Sequence, residues 1–144
     1  KLLPVGRYSG MVAEQYVPYD TRGQESGNKA DARYAAVRDA EGRGLLFAGA
    51  PVLSFSALPY DIPTLEAAGH PYELVADGAT HVHIDRAQRG VGGNNSWGQP
   101  PEPAYRLDAA SYELEFWVAP LTPGDEPAVA RRRSLPEAAI RVAP

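Results

Sequence analysis

With 144 residues, 14 Lys/Arg against 18 Asp/Glu and a pI near 5.3, the chain amounts to one acidic domain, able to bury roughly 70 % of its unfolded surface. Its basic residues are scattered apart from Arg131, Arg132 and Arg133, which excludes an electrostatic footprint for DNA or RNA, and no run approaches the roughly 18–20 apolar residues of a membrane span. The absence of cysteine excludes thiol catalysis, cysteine-based zinc sites and disulfides, and leaves the redox compartment undetermined.

In chain order, the start Lys1-Leu2-Leu3-Pro4-Val5-Gly6 has neither a hydrophobic signal core nor an initiating Met, so a processed chain or an excised fragment is expected. Fourteen glycines and 14 prolines then punctuate the sequence into segments too short for long helices. Residues 33–38 and 44–48 read as a hairpin whose loop, 39–43, carries Gly42 for a positive φ; residues 52–58 form a further strand candidate. A helix of about two turns is expected over 61–69, with Asp61 as N-cap, Pro63 in the first turn, acidic Glu66 and Gly69 as terminator. His81-Val82-His83-Ile84-Asp85 alternates in period two, and so does 112–118, with Tyr112, Leu114, Phe116 and Val118 on one face. After Leu121 the periodicity dissolves, and composition assigns residues 122–144 to a linker or a surface-hugging strap. The sum is an all-β protein with one short helix.

Several stretches imitate catalytic motifs. His81, His83 and Asp85 match most of an H-x-H-x-D-H zinc-hydrolase core, but Arg86 stands where the last His belongs and His70 is the one remaining imidazole, fewer ligands than zinc requires. Two ordinary strand residues on a polar face are the simpler reading. Asn28-Lys29-Ala30-Asp31 spells a guanine-recognition element without any phosphate loop to accompany it. Gly90-Val91-Gly92-Gly93-Asn94-Asn95 lacks the third glycine and the following helix of a dinucleotide fingerprint. Asn94-Asn95-Ser96 fits the N-glycosylation pattern, which matters in a secreted eukaryotic protein alone.

The stretch RGVGGNNSWGQP, 89–100, sets glycines and amides directly before Trp97, one of two tryptophans. Glycine admits left-handed and close-approach backbone, while Asn94, Asn95 and Ser96 hydrogen-bond to nearby main chain and so shape a turn. Pro100, Pro101 and Pro103 stiffen the exit. Two readings of Trp97 stand level on this chemistry. Its flat apolar face and single N–H donor suit stacking against a sugar ring, or the indole folds back as a lid over the β core.

The segment 90–98 resembles the G-[VI]-G-G-[DN]-[DN]-S-W signature near the C-terminus of LacZ-type β-galactosidases of glycoside hydrolase family 2. Four other segments agree in order: Tyr16-Val17-Pro18-Tyr19, Gln24-Glu25-Ser26-Gly27-Asn28, Phe55-Ser56-Ala57-Leu58-Pro59-Tyr60, and residues 65–74 with their L-x-x-A-x-H-x-x-x-L spacing. Together they cover roughly residues 7 to 121. Two departures stand out: Arg22-Gly23 replaces a proline expected before Gln24, and Asn94-Asn95 replaces an acidic pair often found there.

The resemblance implies that residues 1–121 are the C-terminal half of the fifth domain, an incomplete antiparallel β super-sandwich of galactose mutarotase-like type. It also implies that Trp97 serves as a substrate platform, mainly on the aglycone side, with Gly92, Gly93, Asn94, Asn95 and Ser96 as loop support. Both catalytic carboxylates and the Mg²⁺ and Na⁺ sites are implied to lie in a barrel outside this chain, so that the chain itself holds no catalytic residue and no metal. The implied setting is a cytoplasmic bacterial enzyme, homo-oligomeric when intact, acting on lactose-like β-galactosides. Two alternatives remain beside it: a freestanding carbohydrate-binding module built on Trp97, and a zinc hydrolase built on His81, His83 and Asp85.

Overall fold

A computed structural model describes residues 4–18, 26–90, 92–95, 97–134 and 140–142. Five strands and two helices follow one another along the chain: β1 (Lys29–Arg38), β2 (Gly44–Leu58), α1 (Ile62–Ala67), β3 (His81–Asp85), β4 (Leu114–Leu121), α2 (Pro127–Ser134) and β5 (Ile140–Val142). The strands form one sheet in the order β1-β2-β4-β5, with β3 also paired to β2. The pairings β1–β2, β2–β4 and β4–β5 are antiparallel, so the expected all-β class holds. By packing, the chain divides into two compact units, 1–28 with 56–82 and 29–55 with 83–144.

The first unit is built from turns and α1. A single-turn 3-10 helix, Val12–Glu14, is closed by Glu14, which accepts the Met11 N–H at 3.1 Å. Ser26 Oγ accepts the Val17 N–H at 2.9 Å and ties the two halves of that segment together. Asp61 caps α1 as expected, its carboxylate accepting the Thr64 N–H at 2.8 Å, and Pro63 occupies the first turn. The helix ends at Ala67, short of Gly69, because the glycine and His70 direct their N–H groups to the Glu73 carboxylate, at 2.8 and 3.3 Å. Leu58 and Leu65 supply the buried apolar side chains of this unit, beside Ala57 and Ala68.

The second unit holds the hairpin. Its turn is pinned by Asp39, whose main chain pairs with Arg43 and accepts the Gly42 N–H, while its carboxylate accepts the Arg43 N–H and Nε, both at 2.9 Å. Gly42 takes φ +85°, the conformation expected of it. Residues 44–48 and 52–58, expected as separate strands, run on as β2 through Ala50 and Pro51. Main-chain crowding requires glycine at 49, where a Cβ would lie 2.3 Å from the Val52 carbonyl carbon. Register with β1 breaks between Ala32 and Tyr34 and is continuous from Tyr34↔Ala48 to Arg38↔Gly44. On the other side β2 pairs from Gly44↔Leu121 to Gly49↔Phe116, which buries Leu46, Ala48 and Leu121 in the middle of the sheet.

Residues 122–144, read from composition as a linker or strap, take regular structure over two stretches. Thr122 donates from both its N–H and Oγ1 to Asp125 Oδ2, at 2.7 and 2.6 Å, and the Arg38 guanidinium donates to the Asp125 carbonyl. This fixes the entry to α2, which starts on Pro127 and packs against β1 and β4, two of the strands paired to β2. β5 then pairs with β4 from Leu114↔Val142 to Phe116↔Ile140. Composition misses both because their order comes from docking on the sheet.

Candidate functional site

The loop from Arg89 to Tyr105 carries Trp97 at its apex. At its base the Gly90 N–H donates to the Tyr105 carbonyl at 2.8 Å. Higher up the two arms touch at Gly93, where a Cβ would stand 2.5 Å from the Pro100 carbonyl oxygen and 2.8 Å from that of Gln99. Glycine is required there by proximity. At Gly92 and Gly98 it is required by conformation, with φ +73° and +84°.

Amide side chains complete the scaffold. Asn95 Oδ1 accepts the Trp97 N–H at 2.9 Å, a turn of the kind expected from its residue type, and Asn95 Nδ2 donates to Gln99 Oε1 at 3.0 Å. Asn94 Nδ2 donates to Glu102 Oε1. Ser96, expected to share this work, lies outside the described residues. In the exit arm, buried Pro101 offers its carbonyl to Arg106 Nε at 2.5 Å, and a 3-10 turn, Pro103–Tyr105, follows.

The indole of Trp97 is 90 % exposed. It does not fold back as a lid over the core. An open cavity of about 500 Å³, bounded by Ala50, Pro51, Val52, Arg86 and residues 111–115, has no lining residue from this loop, so the indole faces open solvent and not that cleft. Sequence reasoning assigned the stiffness of the loop to glycines, Asn94, Asn95 and prolines and missed Gln99 and Glu102. The signal that could have found them is a pair of hydrogen-bonding side chains placed among three prolines, opposite two donor amides.

The histidines are engaged elsewhere. His81 sits on β3 with Nε2 3.2 Å from both oxygens of Asp77, and that carboxyl is held below the usual aspartate range, first by the Ala79 N–H and then by the His81 ring. His70 stacks on Tyr72, with ring centroids 5.1 Å apart, and places Nδ1 3.3 Å from Glu73. Among the described residues no group of three or more His, Cys, Asp or Glu side chains is placed to hold a metal ion, so His81, His83 and Asp85 do not make a zinc site. Among the described residues no helix is long and apolar enough to cross a membrane.

Fold and loop together define a β-sheet segment that presents one aromatic face on a braced turn. A family model described as beta galactosidase small chain matches residues 3–118, and the chain belongs to that family. It is similar to a beta-galactosidase of Priestia megaterium, 43 % identical over 115 residues, which are 79 % of this chain and 11 % of that protein. A beta-galactosidase of Lactobacillus delbrueckii subsp. bulgaricus is 41 % identical over 81 % of this chain and 11 % of its own length. A beta-galactosidase small subunit of Latilactobacillus sakei is 48 % identical over 44 % of this chain and 21 % of its own length. The chain thus spans about a tenth of the two longer relatives.

Proposed function

We propose that the chain is a C-terminal segment of a β-galactosidase, in which Trp97 is a substrate platform and the remaining domains supply the chemistry. The observation that carries the reading is the 90 % exposed indole at the apex of a loop braced by Asn94, Asn95 and Gly93. An apolar ring left in water on a rigid mount has no structural benefit to its own chain, while stacking on the apolar face of a galactoside covers it. The relatives' names support the enzyme class, and the small share of their length that this chain covers supports a division of labour.

In this reading the parent enzyme removes terminal non-reducing β-D-galactose from lactose-like substrates with retention. Retention requires two carboxyl groups roughly 5–5.5 Å apart, one as acid/base and one as nucleophile, both from outside this chain. Mg²⁺ and Na⁺, homo-oligomeric assembly, a bacterial cytoplasmic setting and completion of a super-sandwich by the preceding domain half belong to the same proposal. Trp97→Ala in the full-length enzyme is the test. KM for a nitrophenyl β-galactoside should rise or the ratio of transglycosylation to hydrolysis should fall; kcat, KM and that ratio all unchanged would remove the platform.

The same exposed indole favours one second reading, a carbohydrate-binding module that holds sugar by itself. Titration of tryptophan fluorescence with galactose or lactose separates the two: a saturable change at millimolar sugar supports the module, and a flat response leaves binding to the assembled enzyme.

A further inference from the structure

We infer that Glu102 is a positioning residue for Trp97, and that Asn94 and Glu102 form a matched donor–acceptor pair that sets how the indole is presented. The inference rests on the platform reading of Trp97. Because the Trp97 side chain is almost wholly exposed, packing does not orient it. Its direction is inherited from the main chain beside it, at residues 92–95 and 97–99.

Two of the side-chain hydrogen bonds there are local. Asn95 to the Trp97 N–H and Asn95 to Gln99 close the apex on itself without tying it to anything else. Asn94 Nδ2 to Glu102 Oε1 is the one side-chain hydrogen bond among the described residues that joins the apex to the lower part of the exit arm. Glu102 is well anchored for that task. It follows buried Pro101, whose carbonyl is held by Arg106, and its own carbonyl accepts the Tyr105 N–H at 2.8 Å. A charged acceptor also makes this bond stronger than a neutral one.

The pair explains a departure noted in the sequence. A carboxylate at 94 would face the Glu102 carboxylate, and like charges at hydrogen-bond distance repel. An amide at 94 therefore goes with an acid at 102. Residue 94 reads as a choice matched to its partner across the loop.

The experiment uses the full-length enzyme with Trp97→Ala, Glu102→Ala, Glu102→Gln, Asn94→Asp and the double variant Asn94→Asp/Glu102→Gln. Glu102→Ala should shift KM and the transglycosylation ratio in the same direction as Trp97→Ala, by about threefold or more, with kcat changed less than about twofold. Glu102→Gln, which keeps an acceptor, should stay near wild type. Asn94→Asp should reproduce the Glu102→Ala phenotype, and adding Glu102→Gln should restore it, because the new amide can donate to the new carboxylate. If Trp97→Ala has its effect while Glu102→Ala and Asn94→Asp have none, the positioning role is wrong and the platform stands. A Glu102→Ala defect that falls on kcat and thermal stability alone, without rescue by Gln, also overturns it. A silent Trp97→Ala removes the platform and this inference together.

Discussion

The ring of Tyr60 meets Tyr16 edge-on, with centroids 5.4 Å apart and planes at 82°. The Tyr16 hydroxyl is buried and has no hydrogen-bond partner among the described residues. An edge-to-face pair contributes about 0.5–1.5 kcal/mol, and an unsatisfied buried hydroxyl costs about 1–3 kcal/mol. Tyr16→Phe keeps the first and removes the second, so urea denaturation should show stability unchanged or raised by about 1 kcal/mol. Tyr16→Leu, which loses the ring pair, should be destabilised.

Leu46 and Leu45 are neighbours on β2 with opposite environments, 0 % and 46 % exposed. Successive side chains of a strand point to opposite faces; Phe47, on the face of Leu45, is buried farther along, so the exposure of Leu45 belongs to the start of the strand. Leu46→Ala should cost about 2–5 kcal/mol by leaving a cavity, and Leu45→Ala well under half as much. Equal shifts in the urea midpoint would mean that the sheet does not bury the face assigned to Leu46.

The carboxyl of Glu73 lies below its ordinary value of 4.5, held there first by the Gly69 N–H and then by the His70 ring. A depressed folded-state pKa gives stability that is present above the unfolded value and lost as pH falls through the folded one. Thermal stability should therefore decline as pH drops below about 4.5, and Glu73→Gln should flatten that part of the profile. The variant should be less stable than wild type at pH 7, with the difference closing toward low pH.

Gly93 and Gly98 need to be glycine for different reasons, and alanine separates them. At 98 a Cβ meets nothing within 4 Å, but φ is +84°, so Gly98→Ala should cost about 1 kcal/mol of local strain and leave the arms in place. At 93 a Cβ collides with the main chain of Gln99 and Pro100, and the arms must separate. Hydrogen exchange of the Trp97 amide, which Asn95 Oδ1 protects, should accelerate more in Gly93→Ala than in Gly98→Ala.

Much of this was legible in residue order because it is local. The Asp61 cap, the Gly42 turn, the β3 strand and the Asn95 turn before Trp97 each depend on residues within about four positions of one another. What escaped is long-range. Pro51 ordinarily argues against strand, yet β2 passes through it because partners on both sides hold the rest. The stretch Pro127–Ser134 has little to mark it as helix until Arg38 and Asp125 anchor its start. At the site, the amides of 94 and 95 stood out in the sequence, but their partners Gln99 and Glu102 emerge only when the loop closes on itself.

At one end of the strand order lies β1, which takes its ladder partners from β2 alone among the described residues. Asp31 breaks its pleat with φ +55°, and the Arg33 carbonyl accepts the Arg131 Nε at 3.2 Å from α2. A foreign strand approaching that margin would meet a kinked template, an occupied acceptor and the charges of Arg33 and Arg38. Accretion of further chains by edge-to-edge β-pairing is disfavoured along that margin, which keeps an open rim from serving as a template for cross-β stacking.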